Sequence, residues 1–397
     1  MQHYSFLIVG GGMTASAAMR GIREVDSQGM IGLFSAENHP PYRRPLLSKG
    51  LWKGKPVEKI WLMGDLPRVD LHLGRTIVAI DPENHLARDD QGESYRYDKL
   101  LLATGGTPRR LPFGGEDIIY YRVLDDYLSL RSYTNQNQQF AVIGGGFIGT
   151  EIAASLRMVG EEVAIIFPEK WIGTRIFPPD ICGFLTDYYR QQGVQVLAEM
   201  KITGLETDGG GMALILEPGE PFQADHVIAG IGITPNTGLA ESAGLDVENG
   251  VVVDEFLRTS QEDVYAAGDV ASFFSPELGS RIRVEHEDNA LTMGKAAGRN
   301  MALADMQHSL EHYHHLPYFY SDLFDVGYEA VGELDSRLEM IVDWQEPFKK
   351  GVIYYLRDGR LRGVLLWNMF GQIEKARQLI SEPGKFDPSN LRGWLKV

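Results

Sequence analysis

Two stretches of the chain follow one plan. Residues 4–9 are an apolar run that ends in glycines; a helical stretch over about 14–24, a second apolar run over 29–35 and an acidic residue follow. The same order returns at 139–143, about 147–159 and 162–167, again closed by an acidic residue. Short apolar runs that do not alternate, bounded by turn residues, predict strands buried on both faces of a parallel sheet. Each stretch therefore reads as a β-α-β unit. Further runs of this kind at 100–103, 227–229 and 264–267 predict more buried parallel strands.

From about residue 317 the pattern changes. Gly332, Gly351 and Gly363 punctuate alternating segments at 352–357 and 361–367, which predicts a separate, mostly antiparallel domain closed by a helix near 371–381. The glycines at 209–211 predict a hairpin turn. In the tail, 391–397, Leu391, Trp394 and Leu395 stand at helical spacing, which predicts packing onto the C-terminal domain.

A chain of 397 residues has room for two or three domains. Its 45 glycines exceed the usual share of roughly 7%, as several tight phosphate-contacting turns would require. The net charge of −16 argues against nucleic-acid binding, which relies on clustered Lys and Arg. Cys182 is the single cysteine and no CxxC pair exists, so a disulfide framework, an iron–sulfur cluster and a redox dithiol are excluded. No basic leader or cleavage site is read at the start, and no apolar run reaches the ~18 residues that span a bilayer. A reducing, cytoplasmic setting is expected.

The chemistry lies in the turns of the two repeats. Gly10, Gly12 and Ala15 form GxGxxA and Gly144, Gly146 and Gly149 form GxGxxG. Missing side chains let the backbone reach a pyrophosphate, and the positive end of the following helix faces it. An acid after the second strand accepts hydrogen bonds from the adenosine ribose; Glu37 and Glu169 hold that place. A carboxylate at Glu169 would repel the 2′-phosphate of NADPH, so NADH is favoured, with Lys170 and Arg175 close enough to contest the preference. Two nucleotide sites in one chain need different tasks, and the economical reading is a resident FAD reduced by an exchangeable nicotinamide.

The segments YDKLLLATGG (97–106), AGIGITPN (229–236) and VYAAGDV (264–270) resemble the two-dinucleotide-binding-domain flavoprotein family. Within it, PYRRPLLSK (41–49), FPEK (167–170), VEHEDNA (284–290), SDLFDVGYEAVG (321–332) and residues 354–368 are similar to the apoptosis-inducing-factor-like group, with ferredoxin and rubredoxin reductases next. The resemblance implies an α/β fold of two Rossmann-like domains in a glutathione-reductase-like arrangement plus a C-terminal α+β domain. The expected divisions are an FAD domain over 1–116 and 237–316, an NAD(P)H domain over 117–236 and a C-terminal domain over 317–397.

The resemblance also implies roles. Asp269 would bind the flavin ribityl chain at the start of a helix, beside Gly268. Arg44, Lys49 and Arg122 would contact FAD, with Lys49 paired to Glu151 near the flavin N5, in place of a merely solvated lysine. Glu285 and His286 would line the flavin and nicotinamide rings, and Tyr320 would stand where an aromatic lies against the flavin. Met13, Thr14, Ile77, Ala103, Thr104, Gly105 and Arg109 complete the expected FAD set; Phe147, Ile148, Gly230, Ile231 and Gly232, with Glu151, Glu169, Arg175 and Glu285, complete that for NAD. Lys49, Glu151 and His286 are the expected catalytic residues.

Two departures from the family stand out. Ala36 replaces an acid, leaving Glu37 to act alone, and the long insertion of eukaryotic C-terminal domains is missing between Asp343 and Gly351. Disulfide reductases of this fold carry a redox cysteine in the helix that would contain 45–49, and none is there. Electrons must leave the reduced flavin directly, to an iron–sulfur protein, a quinone or dioxygen. The expected function is FAD-dependent NAD(P)H oxidation with NADH favoured. One alternative is a dedicated ferredoxin or rubredoxin reductase, with Arg43, Arg44 and Lys53 as hints of a basic docking patch. The other is a redox-sensing scaffold, monomer or homodimer, whose association follows flavin reduction. His308, His312, His314 and His315 lack metal-site spacing, and no metal is expected.

Overall fold

A computed structural model describes residues 1–64, 66–207, 211–387 and 391–395. The chain divides into two compact units, one of Met1–Arg43, Val57–Thr107 and Thr234–Pro317, the other of Arg44–Pro56, Pro108–Ile233 and Tyr318–Val397.

The first unit is built on a seven-stranded sheet. Its centre is parallel, with Val69–Leu73, Ile31–Ser35, Gln2–Val9, Ser94–Leu102 and Val264–Ala266 side by side. Ile77–Asp81 and Leu86–Asp89 extend it as an antiparallel edge. The apolar runs are strands because both faces are covered: Phe6, Leu7, Ile8, Leu100 and Leu101 are fully buried. Register decides what gathers at the carboxyl end. Val9 is level with Phe34 and with Leu102, and Leu102 with Ala266, so residues 10, 36–37, 103–105 and 267–269 leave the sheet along one edge. That edge is where open α/β sheets bind ligands.

Helix Met13–Val25 packs on this sheet and crosses the long helix Glu287–Asp305. Glycines set their closest approach, and Glu24 ties the pair through Lys295 and Arg299. A Cβ on Gly294 would stand 2.3 Å from the Thr14 carbonyl oxygen, one on Gly298 2.1 Å from that of Ala18, and one on Gly21 2.1 Å from that of Lys295. Any side chain there would separate the helices.

The second unit holds a five-stranded, all-parallel sheet in the order Gln195–Leu197, Glu162–Ile166, Gln139–Ile143, His226–Ala229, Ile118–Tyr120. Ile143 is level with Ile166 and with Ala229, so Gly144, the 167–169 segment and Gly230 share its carboxyl edge. An antiparallel ribbon of Lys201–Thr207, Met212–Glu217 and Phe222–Ala224 follows; the turn expected at 209–211 lies largely outside the described residues. The C-terminal part is a five-stranded antiparallel sheet, Tyr318–Leu323, Val326–Gly332, Arg360–Trp367, Lys350–Arg357 and Glu339–Glu346, with helix Ile373–Ser381 packed on it. Alternation gave way to burial on both faces here because the helix and an aromatic cluster cover it: Trp367 is fully buried, stacked with Tyr328 and edge-on to Phe177. Leu391 and Leu395 of the tail are buried, whereas Trp394 is largely exposed.

Two expected helices differ. After Asp269 comes a short 3-10 turn, Gly268–Val270, and then strand Ala271–Ser275. The turn cannot extend because Gly268 has φ +79° and the next residues enter a sheet. Likewise the 45–49 segment is a 3-10 helix, Arg44–Leu47, ending in turns.

Candidate functional site

The first glycine loop is shaped by close backbone approach. Gly10 has φ +114°, and a Cβ there would lie 2.2 Å from the Ala103 carbonyl oxygen. At Gly12 a Cβ would meet nothing within 4 Å. Gly12 also caps helix Met13–Val25 without any side-chain hydrogen bond, and no acid stands in the first turn. Amide donors at the helix start thus face open space, which suits an anion.

Around this loop the sequence candidates of the first unit converge. Gly268 presses on Thr14, with a Cβ position 2.2 Å from its Oγ1, which brings the Asp269 turn to the start of the helix. The Asp269 carbonyl accepts a hydrogen bond from Arg283 Nη1 at 3.0 Å. Thr104 and Gly105 are held by Asn236, whose side chain donates to the Thr104 carbonyl at 2.8 Å and whose amide donates to that of Gly105 at 3.0 Å. Glu37 accepts a 2.6 Å hydrogen bond from the Tyr42 hydroxyl. That bond orients the carboxylate standing alone beside Ala36, and the sequence reading missed it. Ile77 is buried. Glu285 is tied to Arg283 at 2.7 Å, and His286 caps helix Glu287–Asp305.

The second loop repeats the construction. Gly144 has φ +112°, with a Cβ position 2.6 Å from the Gly230 carbonyl oxygen, and one on Gly149 would lie only 1.9 Å from that of Gly144. Gly146 opens on free space and caps Phe147–Met158 with no side-chain bond and no first-turn acid. Phe147 and Ile148 are exposed at the mouth of the loop. Glu169 lies 3.6 Å from the guanidinium of Arg175, which is 87% exposed. The Arg109 amide donates to the Gly232 carbonyl at 2.9 Å, fixing the 230–232 segment. Arg44 Nη1 donates to the Arg122 carbonyl at 3.1 Å.

The same unit contains a buried ion pair. Lys49, 9% exposed, donates to Oε2 of Glu151 at 2.7 Å, and Glu151 is 3% exposed. Ser48 donates to that oxygen and Ser321 to Oε1, each at 2.6 Å. Lys49 also lies 5.3 Å from the centre of the Tyr320 ring. A carboxylate so buried is tolerable because three donors satisfy it. Lys49 is thus a held charge and not a solvated one.

Other candidates resolve as structure. Arg43 pairs with Glu287 at 2.8 Å and Lys53 with Asp322 at 3.4 Å, so the residues suggesting a basic patch are engaged within the fold. His312 packs on Phe256, His314 meets Glu277 at 2.6 Å and His315 meets Asp288 at 2.5 Å. Among the described residues no group of three or more His, Cys, Asp or Glu could hold a metal, and no helix is long and apolar enough to cross a membrane. Cys182 is buried and its thiol points at the Phe177 carbonyl, 3.4 Å away. Burial, with Asp180 adding to it, pushes that thiol up to about 12.

The family model for pyridine nucleotide-disulphide oxidoreductases matches residues 4–294, which takes in both glycine loops. The chain belongs to that family. Flavin and nicotinamide dinucleotide binding come with membership, both loops fit such ligands, and the chain is an NAD(P)H-dependent oxidoreductase. A second model, that of the mitochondrion-associated C-terminal domain of apoptosis-inducing factor, matches residues 339–382. Apoptosis-inducing factor 1, mitochondrial, of Dictyostelium discoideum is 32% identical over 96% of this chain and 79% of its own length. The ferredoxin–NAD(+) reductase component of the anthranilate 1,2-dioxygenase system of Burkholderia cepacia is 32% identical over 97% and 96%. The crystal structure of the covalent putidaredoxin reductase–putidaredoxin complex aligns with a TM-score of 0.90 at 28% identity, over 99% of this chain and 97% of that one. The family name refers to disulfides, but with Cys182 sealed and protonated this member lacks a thiol to exchange.

Proposed function

We propose that this chain oxidises NADH and hands the electrons to a small iron–sulfur protein of the ferredoxin class. The observation that carries the reading is the pair of glycine loops at the carboxyl edges of two parallel sheets, in a chain whose single thiol is buried. The acceptor class is supported by the printed names of the reductase relatives. A quinone and dioxygen are the competing acceptors.

The FAD domain is taken as 1–116 with 237–316, the NAD(P)H domain as 117–236 and the C-terminal domain as 317–397, in a cytoplasmic protein. Gly10, Gly12, Met13, Thr14 and Ala15 would hold the FAD pyrophosphate through backbone donors. Glu37, oriented by Tyr42, would accept from the ribose, and Asp269 from the ribityl hydroxyls. The family resemblance gives further FAD contacts to Ile77, residues 103–105, Arg109, Arg44, Arg122, Glu285, His286 and Tyr320. When bound, FAD supplies a two-electron acceptor that can release electrons singly.

On the other loop, Gly144 to Gly149 would hold the NADH pyrophosphate, with Phe147 and Ile148 at its mouth. Gly230, Ile231 and Gly232 would lie along the dinucleotide. Glu169 would bind the free 2′-hydroxyl, and this favours NADH; Arg175 beside it gives NADPH a weaker hold. Lys49, aimed by Glu151, would place a fixed positive charge where reduction leaves negative charge. His286 and Glu285 would align the rings, since hydride transfer depends on geometry more than on proton exchange.

Anaerobic stopped-flow mixing tests the reading in two stages. NADH should bleach the bound flavin faster than NADPH does, and the reduced protein should then reoxidise faster with a ferredoxin-type protein than with quinone or dioxygen. A flavin that stays oxidised under excess NADH would end the proposal, and fastest reoxidation by a quinone would replace the acceptor.

A further inference from the structure

The carboxylate of Glu151 carries more hydrogen bonds than a simple ion pair needs. Ser48 and Lys49 share Oε2, leaving Oε1 to Ser321 alone. Ser321 is 1% exposed and sits on strand Tyr318–Leu323, next to Tyr320. Directly opposite on the neighbouring strand is Tyr328, fully enclosed. Burial, reinforced by the charge on Glu151, raises the Tyr328 hydroxyl far above its ordinary pKa, so it stays protonated. Ser321 thus links the C-terminal sheet to helix Phe147–Met158 through one donated hydrogen bond.

A carboxylate bound on one oxygen can swing about its last torsion; bound on both, it has one orientation. We propose that Ser321 is a positioning residue: by holding Oε1 it fixes the plane of Glu151, and through it the position of the Lys49 ammonium. The inference rests on the reading that Lys49 stabilises the reduced flavin. It gives the C-terminal domain a part in setting flavin potential through a hydroxyl whose hydrogen bond goes to Glu151.

The test is a spectroelectrochemical titration of FAD-loaded protein, alongside NADH reduction kinetics. Ser321→Ala should lower the flavin midpoint potential and slow reduction about three- to tenfold, as expected for one lost hydrogen bond, with KM for NADH within about twofold of wild type. Ser321→Thr, which keeps the hydroxyl, should restore both. Ser321→Cys, close in size but a weaker donor, should shift the potential the same way by less, and it serves if Ser321→Ala does not fold. Lys49→Ala separates the two levels. If it lowers the potential while Ser321→Ala, or Ser321→Cys in its place, leaves it at the wild-type value, the role of Ser321 is overturned and that of Lys49 stands. If Lys49→Ala also changes nothing, the underlying reading of Lys49 falls.

Discussion

The two glycine loops share one motif but differ in how tightly the fold closes around them. At the first loop the helix is closed in directly behind its open start: Thr14 is buried under Gly268 and Gly294, and the acid at Glu37 is clamped by Tyr42. At the second, Phe147 and Ile148 are exposed and Glu169 has only a loose tie to a solvent-facing arginine. A loop so closely backed suits a ligand that stays, whereas one less enclosed suits a ligand that must leave in every cycle. The contrast supports the proposal that FAD takes the first and the exchangeable nucleotide the second, by an argument separate from the motifs themselves.

That assignment can be broken outright. Gly10→Val places a branched side chain at φ +114° against the Ala103 carbonyl and should give colourless protein; Gly149→Val, driven into the Gly144 carbonyl, should stay yellow but no longer be reduced by NADH. Flavin content and NADH bleaching measured on both would refute the contrast if the phenotypes were exchanged. Next in size, Asp269→Ala should leave most of the purified protein without flavin absorbance, and a normal spectrum would remove its assigned role. Glu169→Ala should weaken NADH binding roughly tenfold, in the range of a hydrogen bond to a charged group, and NADPH binding less. Equal losses in a nucleotide titration would place the ribose contact elsewhere. The smallest effect belongs to Cys182→Ser, which should leave NADH-driven flavin reduction at the wild-type rate; a large loss of that rate would mean the thiol has a task that its burial conceals.

Much of this was legible in the sequence, and for identifiable reasons. The parallel strands could be read because burial on both faces leaves unbroken apolar runs, as at Phe6 to Ile8 and Leu100 to Leu102. The loops could be read because glycine there answers to backbone contact at fixed spacing. What escaped was set by contacts distant in sequence. Ser321 is 170 positions from Glu151, and no local pattern announces that pair. The Tyr42 clamp on Glu37 lies only five residues away but depends on the path of a loop. The turn after Asp269 was read as a helix start because the family resemblance implied one; the Phe273 and Phe274 that follow were the unused sign of a strand. The four-residue spacing of Gly294 and Gly298 was likewise visible and unread.

That glycine crossing has a consequence of its own. Where two helices meet through glycines pressed on backbone carbonyls, the contact points have no rotamers to reset, so the pair holds a single register there. Helix Met13–Val25 and the helix that begins at His286 behave as one cast piece. Any fine adjustment to the FAD proposed at the first loop would fall to the turns around Glu37 and Asp269.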